Sequence, residues 1–470
     1  MNKTKIIATI GPSTNQPHII RNMIKKGMNV ARLNMAHSSS NKSVENIVDI
    51  IREESNKLNQ FVAVMMDIAG PKVRVDFSNN ENQDLKIIKN KIYTLGYLKS
   101  HDIQINMDIN FGSIKDKQAF VKIDDGKIVF KILSTSKKAL KIKALNSGLI
   151  NPNKGVNFPG IFLNVPTLTS KDIKDIKLGI KLKIDWFSLS FVRSYKDLNE
   201  FKKIYNQNTD IPVIAKIEKP EAIAGLEKII KCFDGVLIAR GDLGVEMPLS
   251  ELPIIQKNII KQCRLEKKPV IIATQILESM IKSSSPTRAE INDVASAVYE
   301  EVDAVMLSGE TAVGEFPLEC ISIMKETILN VEKENNNQVF KIENEYKEHN
   351  PRYAIGEAVK SIIKNLKANA VVVMTESGST SRIVSHFRPR ANIFSLSPHL
   401  EICYRNSLLW GVVSIQTEEY LSTDEMLVNA EKLLLDSKYI RVGQIFVMTA
   451  GIPVGVSGST NMLKIHKIID

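Results

Sequence analysis

Eight short apolar runs, spaced by amphipathic stretches, constrain the fold of this chain more than any other feature. They are Lys5–Ile10, Asn29–Leu33, Phe61–Asp67, Trp186–Ser190, Pro212–Ile217, Gly235–Ala239, Val270–Ala273 and Ala304–Leu307. Most are apolar at every position, as parallel strands buried on both faces must be. Helical periodicity fills the gaps at Ile19–Lys26, Ser43–Leu58, Leu252–Leu265 and Glu290–Glu300. Eight strands alternating with helices predict an α/β fold of the (β/α)8 TIM barrel type.

The alternation breaks once. From Lys72 to Phe158 the text changes to short alternating strands, at Lys86–Tyr93, Phe120–Ile123, Lys127–Ile132 and Ala139–Ala144, with a hairpin turn expected at Asp125-Gly126. Gly70-Pro71 and Pro159-Gly160 flank this stretch as hinge points. A small all-β domain inserted after the third barrel strand overhangs the C-terminal face of the barrel, where it can act as a lid. The polar run Glu332–Asn350 then separates a third unit. It carries a helix at Ala354–Leu366, strands at Ala370–Met374, Asn392–Leu396 and Val412–Ile415, a helix at Thr423–Leu435 and a strand at Ile445–Thr449. The expected organisation is a barrel catalytic domain at 1–71 and 159–332, an inserted β-barrel lid domain at 72–158, and a C-terminal doubly wound α/β regulatory domain at 333–470.

The chemistry of a barrel lies at the C-terminal ends of its strands. Arg32 and Asn34 end the second strand, Asp67 the third and Ser190 the fourth. Lys216 and Glu218 end the fifth, Arg240 and Asp242 the sixth, Thr274 the seventh, and Ser308 and Glu310 the eighth. Each alone reads as a cap or a salt bridge; convergence from seven strands reads as a site. Lys216 and Glu218, two residues apart, face the same side of their strand. Glu218 and Asp242, from neighbouring strands, suit Mg²⁺ or Mn²⁺, which keeps open positions for substrate oxygens. Arg32 and Lys216 add fixed positive charge, a set suited to a phosphorylated anion. Gly241 and Gly244 allow close backbone approach. No GxxxxGK[ST] occurs, so a nucleotide would not be held by a P-loop.

The net charge of +11 invites a nucleic-acid reading. The lysines are spread along the whole length with no arginine-rich tract and no interleaved aromatics, so no nucleic-acid partner is expected. The four cysteines (Cys232, Cys263, Cys320, Cys403) lie far apart with no CxxC, which points to a reducing cytoplasm. No apolar stretch approaches the ~20 residues that span a bilayer. The run Ile6–Ile10 before Gly11-Pro12 is too short for a signal peptide.

Over essentially its full length the chain resembles the pyruvate kinase family. The resemblance is carried by Thr4–Ser13 (TKIIATIGPS), Gly27–Asn34 (GMNVARLN), His37, Gly155–Gly160 (GVNFPG), Ser190–Arg193 (SFVR) and Ile211–Ile223 (IPVIAKIEKPEAI). It continues through Ala239–Glu246 (ARGDLGVE), Ala273–Met280 (ATQILESM), Pro286–Glu290 (PTRAE) and Met306–Ala312 (MLSGETA). It implies transfer of the phosphoryl group of phosphoenolpyruvate to ADP, giving pyruvate and ATP. On that resemblance Lys216 stabilises the phosphoryl group in flight, Glu218 and Asp242 hold the divalent metal, and Arg32 grips the phosphate. Thr274 stands near the carbon that is protonated. Ser190, Phe191, Gly241 and Ser308 line the substrate pocket, and Asn34, His37, Arg74 and Lys154 lie toward the nucleotide. A homotetramer is implied on the same ground.

The departures from the family pattern concern K⁺. The resemblance implies a K⁺ site built from an Asn, a Ser, an Asp and a Thr backbone carbonyl. Asn34 and Asp67 are kept, but Ala36 replaces the Ser and Ile68 the Thr, and Lys72 stands where K⁺-dependent members have Glu. The expectation is K⁺-independence, with Lys72 in place of the ion.

In the third unit, Thr375, Glu376, Ser377, Gly378, Ser379 and Thr380 follow a strand and open a helix, a phosphate-loop pattern with a well-capped helix as its plain alternative. The resemblance makes this the loop for a sugar-phosphate or nucleotide effector, with Gly451–Asn461 as a second effector loop; Glu376 places a negative charge inside it. Two rival readings remain: a catalytically silent phosphometabolite sensor, and another phosphoenolpyruvate-handling barrel enzyme.

Overall fold

A computed structural model describes residues 2–37, 40–76, 84–114, 119–334, 350–453 and 460–469. Eight parallel strands close into a barrel: Lys5–Ile10, Val30–Asn34, Ala63–Ile68, Trp186–Leu189, Val213–Ile217, Gly235–Ala239, Val270–Ala273 and Ala304–Leu307. All eight expected strands are present, with ends shifted by at most two residues. The barrel closes where the first strand pairs with the last, Lys5 opposite Ala304.

The unbroken apolar runs follow from two different cores. In each strand alternate residues face the helices or the barrel axis. Ile6 and Ala8 pack outward with Val236 and Ile238, while Ile7, Val30, Met65, Ile214, Leu237, Ile271 and Met306 fill the interior. The parity then places the next residues of the inward series, Thr9, Arg32, Asp67, Ser190, Lys216 and Ser308, at the barrel mouth.

The insert is a six-stranded sheet, ordered Val156–Asn157, Phe120–Ile123, Ile128–Thr135, Ala139–Ala144, Ile92–Gly96 and Ile103–Gln104, beside an antiparallel pair, Leu85–Ile87 with Gly148–Ile150. It has its own apolar core, including Phe111, Phe130 and Phe158. The single strand expected over Lys86–Tyr93 is two. Lys91 N–H bonds back to Ile88 O at 3.2 Å and Asn90 takes φ +68°, a left-handed turn that asparagine tolerates. The expected Asp125-Gly126 turn joins Phe120–Ile123 to Ile128–Thr135 as an antiparallel hairpin.

The C-terminal sheet runs Val412–Gln416, Asn392–Ser397, Ala370–Met374, Ile445–Gly451 and Thr460–Lys467; only the last strand is antiparallel. That half-exposed edge strand and the helices Pro317–Glu334 and Leu400–Asn406 were not anticipated. The expected polar linker begins inside a helix, since Glu332–Glu334 belong to Pro317–Glu334; its residues 335–349 lie outside the described residues. This unit docks on the barrel's N-terminal end. Lys5 Nζ donates to Val412 O at 2.7 Å, Gly411 N–H to Lys3 O at 2.8 Å, and Trp186 Nε1 to Arg405 O at 3.1 Å. No helix among the described residues is long and apolar enough to cross a membrane.

Candidate active site

Four strands deliver one buried charge cluster to the mouth of the barrel. Lys216 Nζ lies 2.8 Å from Ser190 Oγ, 3.2 Å from Asp67 Oδ2 and 3.1 Å from Glu218 Oε1. Arg32 donates from Nε to Asp67 Oδ2 at 2.8 Å and from a terminal nitrogen to Thr9 Oγ1 at 2.9 Å. Thr9 is a residue that sequence reasoning missed, and with it the first strand also contributes. The signal was available, because Thr9 follows Ile7 in the inward series.

The charges fix one another's protonation. Burial alone would raise Asp67, but Lys216 and Arg32 outweigh it and hold the carboxylate below its ordinary range. Burial alone would lower Lys216, yet Asp67 and Glu218 hold the ammonium above its usual value. Glu218 is pushed up, first by burial and further by Asp242, against the opposing pull of Lys216. For Asp242 burial acts upward, and Lys72, with Lys216 and Lys219, more than offsets it.

Local backbone detail sets the second carboxylate edge. Phe191 adopts φ +55°, unusual for a bulky residue, and its N–H donates to Glu218 Oε2 at 2.7 Å. Gly70 permits this turn: at φ +66° it passes so close that a Cβ there would meet Ser190 O at 2.9 Å. On the far side, Thr274 (φ +68°) and Gln275 (φ +55°) are held by Arg240, which donates to both carbonyls and pairs with Asp293 at 2.6 Å. Gly241 N–H donates to Thr274 Oγ1 at 2.7 Å. Arg240 thus braces the loop rather than facing the mouth. Glu310 likewise turns inward, accepting from Ser308 N–H at 2.7 Å and Leu277 N–H at 3.2 Å.

The insert reaches into this site. Lys72 Nζ lies 2.8 Å from Asp242 Oδ1 and 5.5 Å from the Phe191 ring centre. Asn157 Nδ2 donates to Glu246 Oε1 at 2.8 Å, and Lys122 Nζ to Val245 O at 2.6 Å. All three contacts land on one short helix, Arg240–Glu246, which carries Asp242. Asn157 and Lys219, the barrel-side partner of Glu246 at 2.5 Å, were not foreseen as participants.

Among the described residues no group of three or more His, Cys, Asp or Glu stands ready to enclose a metal. Two adjacent carboxylates without nitrogen or sulfur donors fit a hard divalent cation that takes its remaining ligands from water and substrate. The mutual repulsion that raises Glu218 is the charge such a cation would neutralise.

The expected K⁺ ligands are engaged within the protein. Asn34 Oδ1 accepts from Ala36 N–H at 3.1 Å, Ile68 O accepts from Ser190 N–H at 3.2 Å, and Asp67 Oδ2 is shared by Arg32 and Lys216. His37 is pushed below its ordinary pKa by burial and then by Arg74, Arg32 and Lys72, which puts it beside the same cations. Arg74 and Lys154 belong to the insert and are tied there, Arg74 to Asn153 O at 2.8 Å and Lys154 to Asp124 Oδ1 at 2.9 Å.

The Thr375–Thr380 loop lies apart, in the C-terminal unit. Gly378 (φ +78°) opens the helix Ser379–His386, and its N–H donates to Thr375 Oγ1 at 3.0 Å. Thr380 Oγ1 is 2.6 Å from Thr460 Oγ1, Ser377 Oγ donates to Ser379 Oγ at 3.3 Å, and Glu376 is paired with His399 at 2.9 Å. Residues 454–459 of the second expected effector loop lie outside the described residues.

Comparison with known proteins agrees with this arrangement. The family model for the pyruvate kinase barrel domain matches residues 1–321, and that for the pyruvate kinase alpha/beta domain matches residues 353–466. Pyruvate kinases of Staphylococcus aureus strains MRSA252 and USA300 are each 37% identical over 476 positions, covering 100% of this chain and 81% of theirs. A crystal structure of a pyruvate kinase from Cryptosporidium parvum superposes with a TM-score of 0.90 at 30% identity, covering 99% of this chain and 96% of that one.

Proposed function

The chain belongs to the pyruvate kinase family of phosphotransferases, and from that premise we propose that it converts phosphoenolpyruvate and ADP to pyruvate and ATP with Mg²⁺ or Mn²⁺ and without K⁺. The observation that carries the reading is Lys216 Nζ, an ammonium buried at the barrel mouth and braced by Ser190, Asp67 and Glu218. Phosphoryl transfer asks the protein mainly to position groups and neutralise charge. Lys216 and Arg32 supply fixed positive charge for the phosphoryl oxygens, with Ser190 holding the ammonium in place. Glu218 and Asp242 would hold the divalent ion, which supplies further charge neutralisation when bound. Thr274, with Gly241 N–H against its hydroxyl, faces the side where enolpyruvate is protonated. Asn34 and His37 from the barrel, with Arg74 and Lys154 from the insert acting as a lid, are assigned to the nucleotide side.

K⁺-independence rests on Lys72 and on Ala36, which removes the hydroxyl ligand a serine would supply. An ammonium 2.8 Å from Asp242 gives the site a permanent cation from the insert. Lys72→Glu places two carboxylates together, so kcat/KM in K⁺-free buffer should fall about tenfold or more, with partial recovery on adding KCl. Unchanged kinetics would remove the role given to Lys72.

The domain division 1–71 with 159–332, 72–158 and 333–470, a homotetramer, a cytoplasmic location and a phosphorylated effector at Thr375–Thr380 complete the reading. The deciding experiment is pyruvate formation from phosphoenolpyruvate and ADP with Mg²⁺ in K⁺-free Tris, with and without KCl. Full activity without KCl supports both parts of the reading. Activity only with KCl keeps the reaction and ends the lysine argument. Inactivity in both buffers, with sugar phosphates or AMP also added, favours a sensor.

A further inference from the structure

We propose that the seam between the barrel and the C-terminal unit is a binding site for a compact oxyanion, the phosphate group of a small molecule or free inorganic phosphate. The barrel contributes Arg264, Lys267 and Lys268, which precede the strand Val270–Ala273, and the C-terminal unit contributes Arg382, His386 and Arg388. These barrel residues lie at the N-terminal ends of the strands, the face opposite Lys216. The gap between the two sets is narrow, about 10 Å³, room for a single water molecule, so a phosphate group enters only by parting the side chains that line it.

Three observations point to an anion. The first is charge. Five permanent or near-permanent cations line the cleft against one carboxylate, Asp303, which pairs with Arg388 at 3.0 Å; Glu301 nearby pairs with Arg264 at 3.2 Å. Among the described residues no carboxylate pairs with Lys267, Lys268 or Arg382. Lys267 lies over the Tyr353 ring at 3.5 Å, and Lys268 donates to Phe233 O at 2.7 Å.

The second is orphaned donors. Arg264, Arg382 and Arg388 each have a buried Nε with no hydrogen-bond partner, although Arg264 and Arg388 are only 5% exposed. Leaving a buried donor unpaired costs roughly 1–3 kcal/mol, more on a charged group. Three unpartnered Nε–H donors around one gap match an acceptor with several oxygens, and an oxyanion is such an acceptor.

The third is the effect of the field on its neighbours. His386 is pushed well below its ordinary pKa by burial, then by Arg264, Arg388, Lys267 and Lys360; Lys268 is lowered by burial, which outweighs the opposing pull of Asp234, with Arg382 adding to the lowering. The remaining bonds of the arginines already stitch the seam: Arg264 donates to His386 O at 2.8 Å and Arg388 to Glu301 O at 2.9 Å. An anion held by both sides would tighten that docking.

The test follows the His386 ring resonance by NMR in the full-length protein, titrated against pH in chloride and in inorganic phosphate at equal ionic strength. Phosphate should move the His386 midpoint upward, saturably, and raise Tm. Arg382→Gln should weaken the phosphate response at least about tenfold, the worth of one charge-assisted hydrogen bond. Lys267→Gln serves as a second variant should Arg382→Gln fold poorly. Thr380→Val, in the Thr375–Thr380 loop, should leave the response intact. Glycerol phosphate acting like inorganic phosphate would show recognition of the phosphate group on a tail; a response to inorganic phosphate alone would show a closed site for the free ion. An unmoved His386 midpoint, an undiminished response in both charge variants, or its loss in Thr380→Val would overturn the proposal.

Discussion

Lys216→Met is expected to lower kcat by about 10³-fold or more, with a smaller change in KM for phosphoenolpyruvate. Charge delivered to a phosphoryl group in transfer is worth that much, because it is used chiefly in the transition state. Methionine keeps the volume and the strand, and removes the ammonium. The fold should survive. Asp67 keeps Arg32, and Glu218, already pushed upward, can take a proton instead of standing as an unpaired buried charge. Steady-state kinetics beside a thermal melt check this. A variant that melts like the parent and turns over within tenfold of it would show that Lys216 is a structural member of the cluster.

Glu218→Gln should raise the Mg²⁺ concentration for half-maximal rate by at least about tenfold and lower the saturated rate by about a hundredfold. Glutamine can still accept from Phe191 N–H, so the strained turn at Phe191 is retained. Only the charge is lost, and with it one of the two hard ligands. Magnesium titrations with phosphoenolpyruvate fixed separate the two effects. A half-saturation point unmoved from the parent's would place the metal elsewhere.

The barrel was legible because two physical constraints wrote the same text. Strands buried on both faces must be apolar throughout, and the inward parity must turn polar at the mouth. Lys216, Asp67 and Arg32 could therefore be read from their spacing alone. Thr9 obeyed the rule and was overlooked because a threonine after an isoleucine run looks like ordinary strand composition. Lys72 was noticed only through the family resemblance, and its contact with Asp242 depends on how the insert folds back, which no local pattern encodes. The same holds for Asn157 meeting Glu246. The break at Asn90 was passed over, although Lys86–Tyr93 (KIIKNKIY) sets its polar residues in a run, Lys89-Asn90-Lys91, rather than at every second position. The seam cations are spread over some 120 residues of sequence, from Arg264 to Arg388, and no local pattern draws them together.

The pairing of Lys5 with Ala304 has a consequence for how the molecule is made. The partners are 299 residues apart (304 − 5). At ~5–20 residues per second of synthesis, the first strand waits roughly 15–60 s for the last. Through that interval one edge of a growing parallel sheet stays open, a template for intermolecular pairing. The rate at which functional molecules accumulate in a cell would then be governed by protection of this nascent edge, by chaperone capture or slow dilution, and not by the stability of the finished barrel. Moving the chain ends to another helix–strand loop by circular permutation should change the yield on expression while leaving the melting temperature close to the original.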